Sequence, residues 1–204
     1  IVSLTQGEHA MCNYTKFIRT LSEMETNKEI LSACRLAGLE IIGAGSSRIV
    51  FALNDRLVIK VANCDAGVEQ NETECKVWNF LDYDRPQLKQ YFAKVHMHLC
   101  DPDNMFIVMD RLSTASKGSV KHVNACNELK YNIKRNAIER QHRFADALQH
   151  VDDTLSTLTI RDIRKQNIGQ DRNGLIKVLD YGLTRNIWNQ YYKKRDVKAV
   201  TITR

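Results

Sequence analysis

"TIRDIRKQNIG", residues 159–169, and "IKVLDYG", residues 176–182, put Asp162, Asn167 and Asp180 on two short polar loops between apolar runs. A bare carboxylate at the end of a buried strand serves no structural purpose, because removing a charge from water is costly unless a cation or a hydrogen-bonding partner compensates. The pattern therefore calls for something positive at these loops.

The 204-residue chain is long enough for one globular domain or two small lobes, and its 43% apolar content is enough for a core. A formal charge of +6 and a pI near 9.0 favour anions, whether nucleic acid, nucleotide phosphates or an acidic protein, and charge alone does not choose among them. Nucleic acid is not indicated beyond this basic charge. Six cysteines lie scattered without zinc-ribbon pairing, and no apolar stretch is long enough for a signal peptide or a membrane span. These features give the expectation of a reducing, cytoplasmic setting with no membrane partner. In "KVHMHLC", residues 94–100, Val95, Met97 and Leu99 alternate with His96, His98 and Cys100. That period of two reads more simply as a half-buried strand with a polar outer face than as a metal site.

Residues 14–24 and 27–37 read as helices, the second with a capping box in Thr26 and Glu29 and a stop at Gly38. "LEIIGAGSSRIVFALNDRLVIKVA", residues 39–62, reads as a three-stranded antiparallel meander turning at a glycine loop and at Asn54-Asp55. A helix over about 68–81 carries Val77, Trp78 and Leu81 as its apolar stripe. "YFAKVHMHL" (91–99) and "MFIVMDRL" (105–112) read as two more strands, and about 124–156 turns helical again.

Five strands with one intervening helix, then a mainly helical part carrying two acidic loops, is the element order of the protein kinase-like fold. From about residue 40 to 185 the sequence resembles that superfamily. "GAGSSRIV" (43–50) resembles the glycine-rich loop through Gly43, Gly45 and Val50, with Arg48 in the third glycine's place, where it either contacts a phosphate or points into solvent. Lys60 in "LVIKVA" resembles the phosphate-anchoring strand lysine. Its neighbours Ile59 and Val61 face the core if Lys60 faces the cleft. Glu74 is the implied acidic partner, with Glu72 as the alternative. "MFIVMDRL" stands in the place of the hinge, which makes Met109 the gatekeeper and Asp110 to Leu112 the adenine-binding connector. "IRDIRKQN" resembles the catalytic loop, with Ile160 in the histidine's place. The resemblance makes Asp162 the acceptor of the substrate hydroxyl proton and Arg164 (or Lys165) the group that neutralises the transferred phosphoryl. Asn167 is then a magnesium ligand. "DYG" (180–182) resembles D-F-G, so that Asp180 is the second magnesium ligand, and Asn173-Gly174 turns one strand into the next between the two ligands.

The resemblance implies an α+β two-lobe fold with a five-stranded antiparallel N-lobe sheet and a reduced, mainly helical C-lobe. The expected divisions are a helical extension over 1–39, an N-lobe over 40–110 and a C-lobe over 111–204. It also implies ATP and Mg²⁺ as cofactors. No A-P-E segment follows Gly182, which fits either a compact minimal kinase or a piece of a longer one, and a start at Ile1 fits processing or a fragment. The leading helices and the reduced C-lobe are similar to small kinases of bacteriophages, for which the substrates would be host proteins phosphorylated on Ser or Thr in the host cytoplasm. The basic tail "YYKKRDVK" (191–198) reads as a solvated end, with docking of acidic partners as the other reading. Two alternatives stay open: a kinase of small hydroxyl compounds, of the aminoglycoside or choline type, and a pseudokinase acting as a binding module.

Overall fold

Thr26 and Glu29 cap each other as the sequence predicts. The Thr26 hydroxyl accepts the Glu29 N–H, and the Glu29 carboxylate takes the Thr26 N–H at 3.0 Å. The computed structural model describes residues 6–83, 86–113 and 167–193. Asp162, Arg164, Lys165, Ile160, the helix expected over about 124–156 and the tail beyond residue 193 lie outside them. The capping box starts α2 (Asn27–Leu36), which follows α1 (Gln6–Ser22). Gly38, at a left-handed φ of 71°, ends it, because that conformation is strained for any residue with a Cβ.

Strands β1 (Ile41–Ala44), β2 (Arg48–Ala52), β3 (Leu57–Ala62) and β4 (Phe106–Asp110) form an antiparallel sheet in the order β1-β2-β3-β4. The β2–β3 turn is fixed by the Asn54 side chain, which accepts the N–H groups of Arg56 and Leu57 at 2.7 and 2.8 Å. One face of the sheet packs against the two leading helices: Leu21, Ile30 and Cys34 share a core with Phe51, Ile59, Val61, Phe106 and Val108. The helical segment before the meander is thus half of the sheet's own core. Burial pushes the Cys34 thiol up to about 11, so it stays a neutral packing group at neutral pH.

Among the described residues the sheet has four strands, where the sequence predicts five. The strand expected over 91–99 is reduced to isolated bridges at Phe92 and Val95, with the His96 N–H on the Val108 carbonyl at 2.9 Å, followed by a 3₁₀ turn over Met97–Leu99. Local bonds explain the difference. Leu99 and Cys100 donate their N–H groups to His96 and Met97, three residues back, so these amides are unavailable to a ladder.

Helix α3 (Asp65–Tyr83) follows β3. Beyond it come a 3₁₀ helix (Pro86–Tyr91) and the hairpin of β5 (Ile168–Gln170) and β6 (Ile176–Val178). The Asp171 side chain accepts the N–H groups of Asn173 and Leu175, both at 2.9 Å, and Gly174 takes a φ of 83°, so the Asn-Gly pair makes the turn its sequence predicts. Helix α4 (Arg185–Ile187), capped by Thr184, runs into a π turn over Trp188–Tyr192. The chain divides into two compact units, Ile1–Asn71 with His96–Asp110, and Glu72–Val95 with Arg111–Arg204. No described helix is long and apolar enough to cross a membrane.

Candidate functional site

In the first unit, strand register fixes where Lys60 points. It pairs with Val50 on β2 and Ile107 on β4, and directly opposed residues share a face while sequence neighbours take the other. Ile59 and Val61 join the helix-backed core, so Lys60 is on the opposite face, as the alternation predicts. It is nevertheless only 4% exposed. A buried ammonium persists only when paired and hydrogen-bonded, which makes Lys60 a residue that the fold has to accommodate.

Gly43 lies opposite Val50, and the Gly45 N–H donates to the Arg48 carbonyl at 2.9 Å to close the β1–β2 turn. Neither glycine has a positive φ. A Cβ at Gly43 would meet Val50 at 3.6 Å, and one at Gly45 would meet the Arg48 carbonyl at 3.7 Å, both ordinary contacts. The fold does not need glycine at either position, and the missing side chains leave the backbone open to close approach. Arg48 is corrected from the solvent-facing role. It is buried, and its guanidinium donates to the Asn71 side-chain oxygen on α3 at 3.2 Å.

In the second unit, Glu74 is wholly buried and its carboxylate accepts the backbone N–H of Tyr181 at 3.2 Å. Tyr181 is held at its other end as well: its hydroxyl donates to the Ala93 carbonyl at 2.9 Å, and its ring meets Phe92 edge-on with centroids 5.2 Å apart. Glu72, by contrast, pairs with Lys76 on the exposed side of the helix at 2.7 Å. The α3 stripe explains the selection. Val77, Trp78 and Leu81 are buried, and Glu74 precedes them at helical spacing.

Asn167 and Asp180 stand at the open end of the β5–β6 hairpin. Ile168 pairs with Val178, the Leu179 N–H then reaches the Asn167 carbonyl at 2.9 Å, and Asp180 follows at once. Both residues are half-buried. Their side chains offer only oxygen donors, which suits a hard divalent cation such as Mg²⁺ that keeps waters and phosphate oxygens as its other ligands. At the turn end, burial raises the Asp171 carboxyl, but the amides of Leu175 and Asn173 and the Lys177 ammonium 3.1 Å away outweigh it and hold the group below the usual range.

Met109 is buried on β4 opposite Val58, and Asp110 ends the strand opposite Leu57. The Asp110 carboxylate bonds His96 Nε2 at 2.8 Å, a partnership that sequence reasoning missed, since the two residues lie on different segments. Leu112, in the second unit, packs on Gly169, where a Cβ would fall 2.6 Å from that of Leu112. Ser113 and Gln170 exchange both backbone hydrogen bonds at 2.9 Å beside it. Cys34, Cys64, Cys75 and Cys100 are free thiols. Asp162 and Arg164 lie outside the described residues.

No protein-family model matches the sequence. No curated protein matches it either. Among solved structures the chain is similar to the streptomycin-ATP-APH(2")-IIa ternary complex, with 15% sequence identity and a TM-score of 0.44 over 89% of this chain and 71% of the other.

Proposed function

We propose that the chain is an ATP- and Mg²⁺-dependent phosphotransferase of protein kinase-like fold, acting on protein Ser or Thr hydroxyls. The observation that carries the reading is the hydrogen bond from Tyr181 N–H to the buried Glu74 carboxylate. It joins two segments 107 residues apart, each singled out independently by its motif. ATP with Mg²⁺ supplies the phosphoryl group and neutralises part of its charge. Lys60 holds phosphate oxygens, Glu74 is the acidic residue that the resemblance assigns to that lysine, and the backbone of the Gly43–Gly45 turn approaches the phosphates closely. Met109, Asp110 and Leu112 border the adenine. Asn167 and Asp180 hold the metal. Asp162 accepts the proton of the attacking hydroxyl as its oxygen bonds to the γ-phosphorus and ADP leaves, and Arg164 balances charge on the group in transit. The preference for protein hydroxyls rests on the catalytic-loop resemblance of "IRDIRKQN".

The test is incubation of the protein with labelled ATP and Mg²⁺, alone and with a cell extract, followed by gel and mass spectrometry. Label on Ser or Thr in protein bands, absent with Lys60→Met, is expected. Label only in small molecules would assign the aminoglycoside- or choline-type alternative, and no label anywhere would assign a binding module.

A further inference from the structure

Four polar residues around the β1–β2 turn are buried and bonded to each other. Ser47 (6% exposed) accepts Gln70 Nε2 at 3.1 Å, and Arg48 (6%) donates to the Oδ1 of Asn71 (0%) at 3.2 Å. Asn71 uses its amide nitrogen on a third segment, donating at 2.9 Å to the carbonyl of Asn104, itself in a left-handed conformation with φ 59°. The backbone is equally confined. The Ser47 carbonyl takes the Asn63 N–H at 2.9 Å, and a Cβ at Gly67 would fall 2.2 Å from that same carbonyl, so α3 lies directly on the turn. Burying a guanidinium and an amide at a hairpin tip is costly unless every bond is made, and a simple turn needs none of them.

We infer that Arg48 and Asn71 are positioning residues that latch the β1–β2 turn onto α3, so that its backbone stands preorganised for the approach of nucleotide phosphates. This deepens the proposed phosphotransferase reading and rests on it. A glycine in Arg48's place would leave the turn free, and ordering it would then oppose each nucleotide binding event. Held by Arg48, the turn is ordered before the nucleotide arrives. The expected signature is in affinity rather than in the chemical step, because neither residue is assigned a contact with the reacting atoms.

The test pairs amide hydrogen exchange over residues 44–48 with steady-state kinetics for wild type, Arg48→Met, Arg48→Lys and Gln70→Met. Met keeps the bulk of the arginine stem and removes its donors, so the variant does not hinge on tolerating the loss of buried volume. Exchange of the Gly45 amide should accelerate by about tenfold or more in Arg48→Met. KM for ATP should rise by about tenfold while kcat changes by less than about twofold. Arg48→Lys, which retains a donor, should recover part of both effects, and Gln70→Met should show a smaller loss of the same kind. Unchanged exchange in Arg48→Met would overturn the latch whether or not ATP is a substrate. Faster exchange with KM unmoved, or a fall confined to kcat, would overturn the positioning role while leaving phosphoryl transfer intact. Wild type that binds no ATP would instead remove the phosphotransferase reading and the positioning role with it.

Discussion

The backbone N–H of Tyr181 is donated to the carboxylate of Glu74 at 3.2 Å, inside a part of the second unit where Glu74 has no exposure to solvent. One bond thus sets the residue after Asp180 against the middle of α3. Glu72, two positions earlier on α3, has the opposite fate, on the solvent side with Lys76.

The two glutamates therefore predict different outcomes. Glu74→Gln keeps an acceptor for Tyr181 but loses the charge, and phosphoryl transfer should fall by about 10² or more, the scale of a lost charge-assisted contact in a closed site. Glu72→Gln removes only an exposed i,i+4 pair worth about 0.5 kcal/mol or less, and its rate should match wild type. Initial rates of the two variants decide it, and a larger loss from Glu72→Gln would reassign the acidic partner.

The glycines predict a second contrast, between folding and function. Gly67→Ala puts a methyl 2.2 Å from the Ser47 carbonyl, and Gly169→Ala puts one 2.6 Å from Leu112 Cβ, so each should destabilise by about 1–3 kcal/mol as the neighbours are forced apart. Gly43→Ala and Gly45→Ala meet nothing closer than 3.6 Å and should leave the urea midpoint close to wild type while weakening ATP binding. Urea denaturation beside calorimetry separates the two classes. A loss of stability in Gly45→Ala as large as in Gly67→Ala would make the turn glycine structural.

How much of this was legible in the sequence depended on how local the responsible interaction is. The Thr26–Glu29 box, the Asn173-Gly174 turn and the orientation of Lys60 follow from neighbours a few residues apart or from strand period, and each is found as expected. The place of Glu74 on the buried side of α3 was legible because helical spacing ties it to Val77, Trp78 and Leu81. Arg48 was not: its partner Asn71 is 23 residues away and has no motif to mark it. The 91–99 segment misled for the opposite reason. Val95, Met97 and Leu99 alternate as a strand would, yet Met97 is exposed, and after the His96 N–H has reached the Val108 carbonyl the Leu99 and Cys100 amides are used within the 3₁₀ turn.

Asp101 gives a pH prediction. Burial raises its carboxyl above the ordinary range, the N–H groups of Met105 and Asp103 pull it back in part, and the charge of Asp103 adds to the rise. A folded-state value above the unfolded one means that its contribution to stability is fully present below about pH 3.9, the unfolded value, and is lost as pH rises through the folded value. Asp101→Asn keeps an oxygen for both amides without the charge. It should be at least as stable as wild type at pH 7, with any advantage shrinking towards pH 4. Urea midpoints at the two pH values check this, and a variant clearly weaker at pH 7 would show that the charge itself is needed.

The central claim, that this chain moves a phosphoryl group from ATP with metal held at the end of the β5–β6 hairpin, is tested most directly by comparing Asp180→Asn with Asp162→Asn. Calorimetry with ATP and Mg²⁺ and a single-turnover assay are run on the same preparations. Asp180→Asn should lose Mg²⁺-dependent ATP affinity together with turnover. Asp162→Asn should keep that affinity and lose rate by about 10² to 10⁴, the range for a general base, or roughly 3 to 5 kcal/mol of barrier. Wild type that binds ATP, transfers phosphate to no protein or small molecule, and is indistinguishable from Asp162→Asn would contradict the account.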